Sequence, residues 1–187
     1  MKVGLIGLGR MGEGMSRRMI NDGIEVYGYR RNYQKAKESE ERGYITRAID
    51  SLENLVKVVH YQDALVGNAP GIFQLVIPAE LVEDTINELL PLLGDGDIII
   101  DHGNSNFKDS RRRAERLVKL GIQYIDCGTS GGVYGLERGY CLMVGGADTA
   151  VSVCAPIFRA LAPGITAATR TDPHTRATSA EYGWLHC

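Results

Sequence analysis

The chain has 187 residues, 44% of them hydrophobic and 24% charged, with a formal net charge of -2 at pH 7. That balance argues against nucleic acid and against a membrane surface as partners, because phosphates of either kind would not be attracted overall. A chain of this length can bury roughly 70% of the surface its unfolded form exposes, so it needs neither disulfides nor a metal to fold.

Short apolar runs alternate with longer amphipathic stretches, the pattern of βαβ units and of a parallel sheet covered by helices. In chain order the sequence predicts a strand over 2–6, a helix over 11–22, a strand over 24–29, and helices over 33–42 and 50–57. A strand over 72–77, a helix over 79–91, a strand over 97–101 and a helix over 106–120 follow. Strands over 122–125 and 140–144 and a helix over 148–162 complete the series. Between helix and strand, residues 58–71 hold a strand-like KVVHY and then a polar, Gly/Pro-containing loop that suits pairing at a sheet edge. In FKDSRRRAERLVKL, Ser105 and Asn106 are the candidate caps, Ala114, Leu117, Val118 and Leu120 form the apolar side, and Arg111 to Arg113 form a solvated face.

The glycine cluster GLGRMG follows the first predicted strand and opens the first helix. In the GxGxxG pattern of Gly7, Gly9 and Gly12, the first glycine permits the tight turn, the second lets a pyrophosphate reach the backbone, and the third allows close packing. Amides at the helix start then face the anion. Leu8, Arg10 and Met11 lie within the same turn. An ordinary strand-to-helix turn is the alternative, but the strand–turn–helix context is the one a dinucleotide fingerprint requires. The second strand ends YGYRRN, with Arg30, Arg31 and Asn32 where an NAD site usually carries an acid. A guanidinium forks two donors at a 2′-phosphate, which favours NADP; if both arginines merely cap the sheet edge, NAD is used without strong discrimination.

Two further segments, DHGNS at 101–105 and GTSGG at 128–132, each put small polar groups among glycines after an apolar strand. An amide and a hydroxyl, Asn104 with Ser105, can hold a carboxylate and sugar hydroxyls, and Ser130, Gly131 and Gly132 offer a hydroxyl and bare amides to an anionic oxygen. Taken singly, they read equally well as a capping turn and a flexible loop. Together they outline a substrate site beside the cofactor. The four cysteines, Cys127, Cys141, Cys154 and Cys187, lack CxxC spacing, so no metal site is expected and a reduced, cytoplasmic protein is. No charged and apolar leader and no run of about 18 apolar residues is present, so neither a signal peptide nor a membrane span is expected.

GLIGLGRMG, DHGNSNFKDSRRR and CGTSGGVYGLERGYCLMVGG resemble the decarboxylating 6-phosphogluconate dehydrogenases, within the β-hydroxyacid dehydrogenase superfamily. The resemblance spans nearly the whole chain. DxGNS is its most discriminating part, since hydroxyisobutyrate-type relatives usually carry DxST there. It implies a Rossmann-type, doubly wound α/β domain over 1–165, with 166–187 a tail toward an all-helical domain absent from this chain. It also implies oxidation of 6-phosphogluconate at C3 with NADP or NAD, then loss of the carboxylate to give ribulose 5-phosphate, as in the pentose phosphate pathway.

On the matched positions, Asn104, Ser130, Gly131 and Gly132 would contact the sugar acid. Ile77, Pro78 and Ala79 would border the nicotinamide, with Asn104 also reaching the cofactor. The family's general base, a lysine in KxxHN, and its glutamate acid have no counterpart before Cys187, so no catalytic residue is assigned here. The whole enzyme would be a homo-oligomer and this chain mainly a monomer with mobile residues beyond about 165. Trp184 would pack the tail onto the sheet, and His174 would be an exposed loop residue. The alternatives are a hydroxyisobutyrate-type dehydrogenase and a non-catalytic dinucleotide-binding module.

Overall fold

The computed structural model describes residues 1–61, 69–167, 169 and 178–187. Its strands are β1 (Lys2–Ile6), β2 (Glu25–Tyr29), β3 (Arg47–Ile49), β4 (Ile72–Leu75), β5 (Ile98–Asp101), β6 (Gln123–Ser130), β7 (Cys141–Gly145) and β8 (Trp184–His186). The helices are α1 (Arg10–Asn21), α2 (Tyr33–Glu41), α3 (Leu52–His60), α4 (Ala79–Leu89), α5 (Phe107–Val118), the single turn α6 (Gly135–Arg138) and α7 (Asp148–Leu161). One sheet holds all eight strands in the order β3-β2-β1-β4-β5-β6-β7-β8. Every neighbouring pair is parallel except β6 with β7. This is the doubly wound arrangement expected, with its switch point between β1 and β4.

The apolar strands bury both faces, as parallel sheets require. Alternate residues divide between two cores. Val3, Leu5, Ile98 and Ile100 pack with Met15 and Met19 of α1 and with Val151, Cys154, Ile157 and Phe158 of α7. Ile6, Phe73, Leu75 and Ile99 pack with Leu55 and Val59 of α3, Val82 and Ile86 of α4, and Leu117 of α5. Asp148–Ala167 is apolar enough to cross a membrane by length and composition, with mean hydropathy 1.4. Here its apolar side is spent on the sheet and on Trp184, whose ring lies 5.5 Å from that of Phe158.

Arg18 ties this side together. Its guanidinium donates to the carbonyls of Ala160 (3.2 Å), Leu161 (3.0 Å) and Ala162 (2.7 Å) at the end of α7, and to that of Leu136 in α6 (3.2 Å). Four helix-end carbonyls are bonded by one cation, favourably placed at a helix C-terminus.

Several elements differ from the sequence reading. KVVHY is not strand-like: α3 runs to His60, because Leu52, Leu55, Val56 and Val59 form one buried helical stripe. Of the edge pairing proposed within 58–71, residues 62–68 lie outside the described residues, as does His174. The strand over 122–125 is longer, since β6 continues to Ser130 through its antiparallel pairing with β7. β3 and β8, three residues each, carry too little periodicity to be read, and β8 places Trp184–His186 in the sheet rather than in a tail.

The largest difference is in α5. Its buried residues are Ser110, Arg113 and Leu117, whereas Val118 and Leu120 are 57% and 56% exposed. Arg113, assigned to a solvated face, is only 4% exposed. It is drawn inward by Glu83 (Nε to Oε2, 2.9 Å) and Asp101 (Nη1 to Oδ2, 3.5 Å). Of the two candidate caps, Asn106 caps the helix, accepting from the Lys108 amide at 3.0 Å, while Ser105 donates instead to Asp101 at 2.7 Å.

Two substitutions test this packing. Arg113→Met keeps the alkyl stem but strands the buried Asp101 carboxylate, and should lower unfolding free energy by about 3–5 kcal/mol in urea titration. Arg111→Ala on the exposed side should change it by no more than about 0.5 kcal/mol; equal small effects would show that Arg113 is not the partner that keeps Asp101 buried.

Candidate functional site

At the switch point the crossovers from β1 and β4 leave on opposite sides of the sheet, and a crevice opens at the strand ends. Gly7, with φ +105°, turns the chain from β1 into α1. A Cβ at Gly7 would collide with the Val76 carbonyl oxygen, and one at Gly12 would collide with the Gly7 carbonyl oxygen. At Gly9 a Cβ would meet nothing within 4 Å. The outer glycines therefore let the chain cross itself, and the middle one leaves bare backbone for a ligand. Gly9 is also the N-cap of α1 and supplies no side-chain cap, so the first-turn amides remain available to an anion.

A groove of about 390 Å³ follows this turn, and its wall joins Gly7, Leu8 and Gly9 to Arg30, Arg31, Asn32, Ile77 and Pro78. Eight of the residues expected to hold the cofactor thus share one cavity. Leu8 contributes backbone, since its side chain is buried. Arg10, Met11, Gly12 and Ala79 lie beside the groove in sequence, off its wall. Arg10 is exposed at the start of α1, and Met11 packs on the core beneath Tyr140, whose hydroxyl donates to the Met11 carbonyl at 3.4 Å. The wall also includes Tyr29, Leu52, Leu81, Thr85 and Glu88, which the sequence reading missed. The last three were visible as i, i+4, i+7 on the helix after the VIPA turn.

The two arginines do different things. Arg30 donates to the Leu8 carbonyl at 2.9 Å, clamping the end of β2 onto the glycine turn. Arg31 is exposed and has no hydrogen-bond partner among the described residues. Asn32 caps α2 by accepting from the Lys35 amide at 3.1 Å. The expected pair of phosphate-binding cations is therefore one structural clamp and one available guanidinium beside a helix N-terminus.

The DHGNS segment is organised by Asp101, whose side chain is fully buried. Its carboxylate accepts from the Gly103 amide (2.8 Å), Ser105 Oγ (2.7 Å), Tyr124 Oη (2.6 Å) and Arg113 Nη1 (3.5 Å). Burial, and then the Asp101 charge, push the Tyr124 hydroxyl far above its ordinary value, so it stays a donor. Burial opposes charge on Glu83, but the Arg113 hydrogen bond and the Arg116 and Arg112 charges hold its carboxyl below the usual range.

Asn104 sits on this frame in the left-handed region, φ +52°. Its Oδ1 accepts from the Thr129 amide at 3.2 Å, so the side chain reaches the end of β6, one residue from Ser130. Ser130 is exposed there, and Gly131 and Gly132 turn the chain with φ of +144° and +51°. Asn104 and Ser105 line a second cavity of about 350 Å³ with Asp126, Gly128, Met143 and Gly145. Burial raises the Asp126 carboxyl above its ordinary value. Asn104, assigned to both cofactor and substrate, stands on the wall of this second cavity and not of the groove. Ser130, Gly131 and Gly132 adjoin it through Thr129 without lining it.

The family described as the NAD binding domain of 6-phosphogluconate dehydrogenase matches residues 2–169. The NAD(+)-dependent, decarboxylating 6-phosphogluconate dehydrogenase of Haloferax volcanii is 37% identical over 164 residues, which cover 88% of this chain and 51% of that protein. The Plasmodium falciparum 6-phosphogluconate dehydrogenase superposes with a TM-score of 0.74 at 26% identity, over 91% of this chain and 35% of that one. A 3-hydroxyisobutyrate dehydrogenase of Mycobacterium tuberculosis superposes equally well, TM-score 0.74, over 100% of this chain and 54% of that one; at 20% identity it shares the fold. The chain thus spans between about a third and about half the length of its curated relatives. With the glycine turn, the groove and the DHGNS frame all in place, the chain belongs to the family of NAD-binding domains of 6-phosphogluconate dehydrogenase.

Proposed function

We propose that this chain is the cofactor-binding part of a decarboxylating 6-phosphogluconate dehydrogenase, holding NADP, or NAD, and one side of 6-phosphogluconate. The observation that carries the reading is the placement of the candidate site segments at one end of the sheet. The glycine turn after β1, Arg31 after β2, the Ile77–Pro78 turn after β4, Asn104 after β5 and Ser130 at the end of β6 stand in strand order across the crevice. A dinucleotide laid along that edge meets amides at its pyrophosphate, a cation at its adenosine end and Ile77 at its nicotinamide end.

When bound, the nicotinamide accepts the hydride from C3 of the sugar acid, and the resulting 3-keto acid loses its carboxylate into the adjacent carbonyl. The chain's own residues bind and orient. With Oδ1 engaged by Thr129, Asn104 offers its Nδ2 hydrogens, and Ser130 with the amides of Gly131 and Gly132 offers further donors to the sugar acid. No lysine lines either cavity, and nothing in the sequence matches KxxHN. A positioned base and acid each contribute about a hundredfold to ten-thousandfold, so this chain binds its ligands without turning them over.

The different bonding of the two arginines separates cofactor choice from loop support. Arg31→Ala should weaken NADP binding by about tenfold while leaving NAD nearly unchanged, the size of one lost charge-assisted contact. Arg30→Ala should weaken both cofactors together, because it frees the glycine turn. Calorimetric titration with each cofactor checks this, and an equal loss of NADP and NAD on changing Arg31 would refute the phosphate assignment. Mixing the chain with NADP and 6-phosphogluconate should yield no NADPH by absorbance, although both ligands bind. Binding of hydroxyisobutyrate in preference to 6-phosphogluconate would favour the other branch of the superfamily.

A further inference from the structure

The one histidine of DHGNS has no place in the binding scheme above, yet its ring is buried. His102 is 3% exposed and is hydrogen-bonded to side chains of two different strands, β4 and β6. Its Nε2 lies 3.1 Å from Gln74 Oε1 in β4, and its Nδ1 lies 2.9 Å from Thr129 Oγ1 in β6. Gln74, itself fully buried, points its amide nitrogen at Met19 Sδ of α1, 3.2 Å away. With the Gln74 oxygen accepting, the ring proton belongs on Nε2, and Nδ1 and the Cys127 carbonyl oxygen share the single proton of the Thr129 hydroxyl. That hydroxyl also lies 2.9 Å from the Cys127 carbonyl oxygen. The backbone amide of the same Thr129 donates to Asn104 Oδ1. A line of hydrogen bonds, buried at its inner end, therefore runs from the sheet's centre to the only left-handed non-glycine residue described, which is also a proposed ligand contact.

We propose that His102 is a positioning residue for Asn104, acting through Thr129, and that it sets how firmly the nicotinamide and sugar-acid end of the site is held. The inference rests on the dinucleotide reading above. Asn104 holds a conformation that costs most residues free energy, and the structure around it must fix that conformation. Asp101 fixes the backbone on one side, and His102 fixes the strand end to which the Asn104 side chain is tied. The ring faces Gln74 and Thr129 as hydrogen-bonding groups, and Asp101, its chain neighbour, is the charge that favours protonation. Burial outweighs that charge and pushes the imidazole down to about 4, so it stays neutral and its bonding unchanged at ordinary pH.

The test compares two ligands on the intact chain. NADP spans the whole crevice, whereas adenosine 2′,5′-bisphosphate occupies only the adenosine end. His102→Leu and Thr129→Val should each weaken NADP by about three- to tenfold, the magnitude of one hydrogen bond, and leave the bisphosphate unchanged. Thr129→Ser, which keeps the hydroxyl, should restore NADP binding. Asn104→Ala should cause the same selective loss, and adding His102→Leu to it should cause none further, since both act through one contact.

Equal weakening of both ligands, an unchanged NADP affinity, or additive losses in the double variant would overturn the proposal. Failure of the unaltered chain to bind either ligand would overturn the dinucleotide reading instead. Thermal melting gives an independent check on the buried ring. A depressed imidazole means that the unfolded chain binds the extra proton, so stability is whole above about pH 6.5 and falls as pH drops toward 4. That decline should be shallower in His102→Leu, and an identical decline would contradict the neutral, buried ring.

Discussion

The buried carboxylate of Asp101 is the constraint on which the ligand end of the sheet depends. It closes an apolar strand, Ile98–Asp101, and lies under α5 with no exposure to solvent. A charge there is tolerable only if it is paired and fully hydrogen-bonded. Arg113, Ser105, Tyr124 and the Gly103 amide meet that requirement, and each also fixes something else. Arg113 pins α5, Tyr124 pins β6, and Ser105 with Gly103 pins the loop between which Asn104 takes its left-handed turn. The desolvation that makes Asp101 expensive to bury thus leaves the loop few alternatives, and a binding loop gains from that rigidity because less order must be created when ligand arrives.

The other half of the crevice is built on the opposite principle. Around GLGRMG nothing is charged and buried; the geometry comes from missing side chains. Gly7 and Gly12 are needed because two backbone segments cross within the space of a methyl group, and Gly9 is left bare between them. Arg30 then closes the turn from outside by reaching back to the Leu8 carbonyl. The two halves meet at the strand ends of β1, β4 and β5, which the parallel register aligns: Ile6 stands beside Leu75, and Leu75 beside Asp101. One register carries both the glycine turn and the DHGNS loop, so a slip in pairing would displace them together.

The sequence made legible what periodicity and backbone sterics control. Alternation of strand and helix, the glycine roles and the order of the site segments all follow from local patterns, and the structure places Gly7, Gly9 and the DHGNS loop where those patterns require. Arg113 was misread because three successive arginines look like one solvated face; a helix turns 100° per residue, so one of the three had to face elsewhere, and only the tertiary position of Asp101 and Glu83 shows which. The three-residue strands β3 and β8 have no period to detect. Arg30 and Arg31 carry the same charge in the same turn, and only the direction of each side chain separates clamp from candidate phosphate ligand.

Under the proposed function, the far edge of the sheet would account for a separation of binding from turnover. On one face α7 covers β7, burying Leu142 and Val144. On the other, among the described residues, no helix lies over β7 and β8, and Met143 and Leu185 are 53% and 45% exposed. The second cavity, with Asn104 and the half-buried Asp126 on its wall, opens onto that uncovered face. Charges developing there would be screened by water, and a hydride acceptor and a keto acid would share the space with solvent. Electrostatic stabilisation of a transition state depends on excluding that water. The groove around the glycine turn has no such need, since binding a pyrophosphate asks only for fixed amides and an open approach. On the proposed function, the same sheet would present a groove for the cofactor and, a few strands away, a substrate cavity walled on one side.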